Sequence, residues 1–166
     1  MYYMANAKEN HPLTGKKAPA FTLSSGEETS VKLSEFKGKN VVLYFYPKDN
    51  TPGCTREAKE FSDLQAEFEA LNTVVLGVSP DSITSHCKFT EKHELTVMLL
   101  SDPDHKIAEK YGAWGEKTMC GRTYMGIIRS TFFIDSKGTV RQAWTSVKAA
   151  GHAAAVLKQV REFTAA

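Results

Sequence analysis

Cys54 follows Pro47 and Thr51 in the run Pro47-Lys48-Asp49-Asn50-Thr51-Pro52-Gly53-Cys54-Thr55-Arg56-Glu57. An apolar stretch, Val41 to Tyr46, precedes this run and an amphipathic stretch follows it. The thiol therefore falls in the first turn of a helix entered from a buried strand. Unpaired N–H groups and the positive end of the helix dipole favour thiolate over thiol at that position. Pro47, Pro52 and Gly53 stiffen the loop, and Thr51 and Thr55 place hydroxyls beside the sulfur. Thiolate is the nucleophilic form, so the run reads as a reactive sulfur at the mouth of a sheet. A lone cysteine that merely packs under a turn is the competing reading, and the Pro-Thr-Pro-Gly-Cys context argues against it.

Other groups offer less. Three cysteines, at 54, 87 and 120, rule out a fully paired disulfide framework within one chain, and no C-x-x-C occurs. The histidines at 11, 86, 93, 105 and 152 show no paired ligand spacing, and His86, His93 and His105 read as a solvated helical face. No phosphate loop, paired-carboxylate site or cofactor motif is visible, so no cofactor is expected beyond the sulfur itself.

The elements that must position Cys54 follow from periodicity. Ala20–Leu23 and Thr29–Leu33 flank a turn like the arms of a hairpin, and Val41–Tyr46 is a central strand. Phe61, Leu64, Phe68 and Leu71 recur by three and four and predict one helix with a continuous buried stripe. Thr73–Ser79 is a second apolar strand, and Asp81 or Ser82 caps a helix running to about His93. Val97–Leu100 is a third strand, with a short helix over Asp104–Tyr111 after it. Arg129–Ile134 and Thr139–Thr145 alternate around the turn 135–138, and Ala153, Val156, Leu157 and Val160 face a last helix inward. The order predicts an α/β fold, a central mixed sheet with helices on both faces, reached through right-handed crossovers.

The run around Cys54 resembles the peroxiredoxins, whose pattern of Pro, three residues, Thr or Ser, two residues and Cys is met by Pro47, Thr51 and Cys54. The chain is most similar to the peroxiredoxin Q group, also called bacterioferritin comigratory protein. The likeness extends through Tyr44–Asp49, Leu99–Asp102, Tyr111–Lys117, Gly121–Tyr124 and Arg129–Asp135, in register from about Gly15 to the last helix. It implies a thioredoxin-like fold and a thiol peroxidase for hydrogen peroxide and alkyl hydroperoxides, reduced by a thioredoxin-like donor. It also implies roles: Cys54 as nucleophile, Thr51 as the hydroxyl on the peroxide, Pro47 as a cover for the sulfur, and Arg129 as the guanidinium that holds sulfur and peroxide. Glu57 is expected to orient Arg129 or to cap the helix. Arg56 is a nearby rival to Arg129 and reads as a surface residue, while Phe45 and Trp114 read as core or pocket wall.

The resemblance breaks at the second cysteine. Many peroxiredoxin Q chains carry a resolving cysteine five residues after the first, where this chain has Lys59, or in the next helix, about where Thr90 falls. Cys87 lies one helical step before Thr90 and is the candidate substitute; against it, Ile83, Cys87 and Thr90 form an apolar stripe of a kind that usually buries an inert thiol. Cys120, in the loop 118–121, is the second candidate, and an external thiol the third.

At 166 residues, 42% hydrophobic and 24% charged with net charge +2, the chain fits one globular domain over 15–166, with 1–14 as a flexible tail. No basic block argues for nucleic acid, and the longest apolar run, Val41 to Pro47, is too short to cross a membrane. A cytoplasmic protein, monomeric or weakly dimeric, is expected. A non-peroxidatic thioredoxin-fold module carrying a thiol to a partner or metal is the rival function; it gives Thr51 and Arg129 no purpose.

Overall fold

The computed structural model describes residues 7–8, 11–26 and 29–165. The strands are β1 (Ala7–Lys8), β2 (Thr22–Ser24), β3 (Ser30–Lys32), β4 (Asn40–Phe45), β5 (Thr73–Ser79), β6 (Met98–Ser101), β7 (Trp114–Met119), β8 (Arg122–Ile127), β9 (Ser130–Ile134) and β10 (Val140–Thr145). The helices are α1 (Pro52–Asp63), α2 (Gln65–Ala70), α3 (Ile83–His93), α4 (Lys106–Lys110) and α5 (His152–Ala165), with a 3-10 turn at Leu33–Phe36.

Eight strands form one mixed sheet in the order β1-β10-β9-β4-β5-β6-β2-β3. β4, β5 and β6 run parallel, and β9 lies antiparallel to β4 with Phe45 opposite Ser130. β4 is buried along its whole length because both faces are covered. Val41, Leu43 and Phe45 face one core with Phe132, Ile134, Tyr111 and α4, while Val42 and Tyr44 face the other with Phe61, Phe68, Phe133 and α5. On that second face the ring of Tyr44 stacks on Phe61 at 4.7 Å between centroids. Gly77, paired with Tyr44 across the strands, leaves the space for it, since a Cβ there would sit 2.7 Å from the Tyr44 ring.

The two crossovers step in one direction across the sheet, β4 to β5 to β6. Right-handed connections then place α1 and α3 on the same face, so the opposite face is covered by α4 and the 3-10 turn rather than by an alternation of crossover helices.

Three further features depart from the expected elements. The helix over Phe61–Leu71 is broken at Leu64, whose backbone (φ −99°, ψ 7°) separates α1 from α2, although Phe61 and Phe68 both remain fully buried. β7 and β8 form a separate two-stranded ribbon in a stretch where periodicity gave no strand. Of the expected tail, Ala7 and Lys8 pair with Trp144 and Ala143 at the sheet edge, and the Thr14 N–H reaches the His11 carbonyl; residues 1–6 and 9–10 lie outside the described residues.

Candidate active site

Helix α1 begins where the sequence places it, with Pro52 at its first position. Pro lacks the N–H that would be unpaired there in any case, and its fixed φ suits the helix. Asn50 just ahead adopts φ 60°, a left-handed conformation Asn tolerates, and bends the chain into the helix. The Thr51 side chain does not cap: its hydroxyl donates to the Lys48 carbonyl at 2.8 Å. That commits the Thr51 hydrogen and leaves the oxygen free to accept. The N–H groups of Gly53 and Cys54, in the first helical turn, lack intrahelical partners by the geometry of a helix start.

Cys54 is 1% exposed. Arg129, immediately before β9, reaches across with Nη2 3.3 Å from the Cys54 sulfur and Nη1 2.6 Å from Glu57 Oε1. The strand pairing sets this meeting: β9 lies beside β4, so the residue before β9 arrives beside the loop that leaves β4. Arg129 thus stands ahead of the strand it was expected to open. Gly53 is a clearance as much as a turn former, since a Cβ there would lie 3.2 Å from Arg129 Nη2. A guanidinium N–H toward sulfur is a contact that a thiolate accepts better than a thiol.

Glu57 is fully buried and takes the orienting role, not a capping one. Burial pushes its carboxyl up to about 7, against the charge and hydrogen bond of Arg129, which hold it down. Its Oε2 and the Tyr44 hydroxyl, both buried, have no hydrogen-bond partner among the described residues. Burial alone would lower the Arg129 pKa, but the negative groups Glu57 and Cys54 raise it, so the guanidinium stays charged. Pro47 is half-buried in the loop that leaves β4, and Arg56 is a surface residue paired with Glu60 one turn on.

A second set of side chains holds the loop from behind, and sequence reasoning missed it. His86 is buried, not solvated as the helical pattern suggested; His93 and His105 do lie toward the surface. Its Nδ1 lies 2.7 Å from Asp49 Oδ2 and its Nε2 lies 3.0 Å from the Leu100 carbonyl. Both partners, a carboxyl oxygen and a backbone carbonyl, tie the ring to the loop on one side and to β6 on the other. Asp49 also accepts from Tyr46 at 2.6 Å and Ser85 at 2.6 Å, and its N–H donates to Asp81. Burial raises the Asp49 pKa, but hydrogen bonds from His86, Ser85 and Tyr46 outweigh it and keep the carboxyl below its usual range. The clue lay in the polar residues Asp49 and Asp81, which lie in the loops leaving the neighbouring strands β4 and β5 and so meet.

Lys117 is the other unexpected neighbour. Its ammonium donates to the Ile127 carbonyl at 2.7 Å, and its pKa is lowered first by burial and then by the charge of Arg129 beside it. The ribbon of β7 and β8 therefore stands over the site. At its far end Cys120 sits exposed in the turn with φ 51°.

Cys87 is exposed, not buried in an apolar stripe, and its thiol donates to the Gly26 carbonyl at 3.1 Å. The face of α3 turned to the 47–51 loop carries His86 and His93, the latter 2.9 Å from Asn50 Oδ1. Cys87 looks instead toward the β2–β3 turn, three strand positions beyond β4 in the sheet, or about 14 Å at ~4.8 Å per strand. The structure does not bring Cys54 and Cys87 together. Among the described residues no group of His, Cys, Asp and Glu is arranged to hold a metal ion.

The AhpC/TSA family model matches residues 14–143. Peroxiredoxin Bcp of Bacillus subtilis is 48% identical over 150 residues, which cover 90% of this chain and 96% of that protein. A solved structure of Xanthomonas campestris peroxiredoxin Q superposes with a TM-score of 0.83 at 42% identity, covering 87% of this chain and 91% of that one. A second Xanthomonas campestris structure, of bacterioferritin comigratory protein in work on its alkyl peroxide reduction, gives a TM-score of 0.83 at 41% identity, covering 87% and 92%. The thiol, guanidinium and carboxylate converge in a thioredoxin-like fold shared with these proteins. The chain belongs to the AhpC/TSA family, among the Bcp and peroxiredoxin Q proteins, and is a thiol-dependent peroxidase.

Proposed function

We propose that Cys54 is the attacking atom, and that the Arg129 bridge from Cys54 to Glu57 makes the attack possible. The bridge is the observation that carries this reading: one planar group, fixed by a buried carboxylate, donates to the sulfur with a second N–H edge open to an incoming oxygen. In the first step the Cys54 thiolate attacks the terminal oxygen of hydrogen peroxide or an alkyl hydroperoxide. The S–O bond forms, the O–O bond breaks, and the departing oxygen takes a proton to leave as water or alcohol. Cys54 becomes a sulfenic acid. Thr51, its hydrogen committed to Lys48, accepts from the hydroperoxide O–H and aligns the O–O bond with the sulfur. Pro47 keeps an apolar, donor-free edge against the site.

The sulfenic acid is reset by an external thiol. That thiol condenses with it, releasing water and leaving a mixed disulfide, and a second thiol from a thioredoxin-like donor returns Cys54 to its reduced form. The position of Cys87 on the far side of α3 favours this route over an internal Cys54–Cys87 disulfide, which needs Cα atoms within about 7 Å. The three free thiols, two of them exposed, suit a reducing compartment, and we place the protein in the cytoplasm as a monomer or weak dimer. Short edge strands, β1 of two residues and β3 of three, support the monomer. Among the described residues no helix is long and apolar enough to cross a membrane.

Mass spectrometry after one equivalent of peroxide tests both steps. Cys54→Ser should abolish peroxide consumption, and Cys87→Ala and Cys120→Ala should each turn over normally with an external dithiol. Retained turnover in Cys54→Ser would sink the nucleophile assignment, and a Cys54–Cys87 disulfide peptide would restore Cys87 as the resolving residue.

A further inference from the structure

The opposite end of β4 from Cys54 carries a second concavity. Six strand residues separate the two, about 20 Å at ~3.3 Å per residue. Three segments frame it: residues 17–20, the 3-10 turn with Lys37 and Lys39, and the turn 134–138. Backbone bonds lock these segments to one another, Ala18 N–H to the Gly138 carbonyl at 2.8 Å and Gly38 N–H to the Ser136 carbonyl at 3.0 Å. The cavity is therefore a fixed part of the fold. Its volume is about 170 Å³, and Leu33, Phe36 and Ile134 supply apolar wall.

Lys17, Lys37, Lys39 and Lys137 ring its mouth, all exposed and none in an ion pair among the described residues. Asp135 is the acidic side chain of the lining, and it is already occupied. It accepts from Arg141 Nε at 2.6 Å and from the N–H groups of Lys137 and Thr139, which outweigh its burial and hold its pKa below the usual carboxylate range. Glu35 on the 3-10 turn faces back, to the Lys32 N–H. Four cations without local counter-charges are thus gathered at one mouth of a chain whose net charge is only +2. Such a rim over an apolar floor attracts and orients an anion with an apolar tail. Sites for drug-sized ligands run to roughly 300–1,000 Å³, so a cavity of this size takes a single ring rather than a long acyl chain.

We propose that this cavity is a second, non-catalytic binding site for small aromatic anions of the aryl phosphate class, with the ring on Leu33, Phe36 and Ile134 and the anion among the four lysines. Ser34 and Ser136 hydroxyls flank the same mouth as neutral donors.

Phenyl phosphate is the probe, titrated into the full-length reduced protein and followed by amide chemical shifts. Inorganic phosphate serves as the charge-only control and benzyl alcohol as the ring-only control. Saturable shifts should centre on Gly38, Ser136 and Gly138, with phenyl phosphate binding at least tenfold tighter than either control. The charge-reversal pair Lys39→Glu with Lys137→Glu should weaken binding tenfold or more. Ala20→Phe, which fills the mouth from an exposed position, should weaken it similarly without removing charge. Raising sodium chloride from about 50 mM to about 500 mM should weaken the wild type and leave the double variant nearly unchanged. Peroxide turnover in every variant should match wild type, which shows that they are folded. Equal binding of phenyl phosphate and inorganic phosphate, indifference to Ala20→Phe, or shifts centred elsewhere would each overturn the proposal.

Discussion

Arg129 uses two different nitrogens at once, Nη1 on Glu57 and Nη2 on Cys54. A lysine at 129 would keep the charge, but one ammonium cannot hold the buried carboxylate and face the sulfur in a fixed plane. Arg129→Lys should therefore lower kcat/KM on the order of a hundredfold, the size expected for a lost transition-state donor, measured by peroxide competition. A wild-type rate would make the guanidinium structural only. Cys54 was legible before the fold because a helix start, a thiol and two prolines are local facts, whereas Arg129 was singled out only by the resemblance to the peroxiredoxins. Gly53 was only half legible. Its place in the turn showed in the sequence, whereas its clearance for Arg129 depends on a residue 76 positions later that only the sheet brings near.

At the scale of elements, the loop from β4 to α1 is anchored to α3 by a buried contact, Asp49 Oδ2 with His86 Nδ1 at 2.7 Å. Removing His86 leaves the buried Asp49 carboxyl short of one hydrogen-bond partner, which typically costs on the order of 1–3 kcal/mol. His86→Ala should lower the urea midpoint accordingly, and Asp49→Asn in that background should recover part of the loss. Strict additivity of the two changes would show that the contact is not energetically coupled. Neither this pair nor the β7–β8 ribbon could be read from periodicity. His86 sits on a helix whose polar residues serve both an internal network and the solvent, so the pattern that normally marks the inner face is blurred. β7 and β8 are solvated along much of both faces, and without a buried side the period-two alternation disappears. The core strands and α5 were legible for the opposite reason, since each has at least one dry face.

Across the whole molecule, two buried groups bend the pH dependence of stability in opposite directions. The Glu57 carboxyl, pushed up to about 7 by burial, holds a proton in the folded state that the unfolded chain has released above its ordinary value of 4.5. Stability falls as pH rises through that window. His152, lowered by burial to about 3 from 6.5, refuses a proton that the unfolded chain takes up, so stability rises with pH over that range. The two slopes oppose each other between 4.5 and 6.5. Thermal melts should give a broad plateau there, with a loss on the acid side. Glu57→Gln should turn the plateau into a continued rise to about pH 6.5. An unchanged profile in Glu57→Gln would place the titration elsewhere.

The burial of Cys54 beside two exposed thiols makes the protein a size filter for reagents. Bulky maleimides meet Cys87 and Cys120 at the surface and find Cys54 closed off beneath the start of its helix. A molecule as small as hydrogen peroxide discriminates by reactivity and goes to Cys54 instead. The two classes of electrophile should thus modify the chain in opposite orders. A dye placed on positions 87 and 120 should leave a fully active peroxidase, while prior oxidation should leave dye uptake at those two positions untouched. Peptide mapping of briefly labelled protein checks this, and early maleimide on Cys54 would mean that the first turn of α1 opens faster than the surface thiols react.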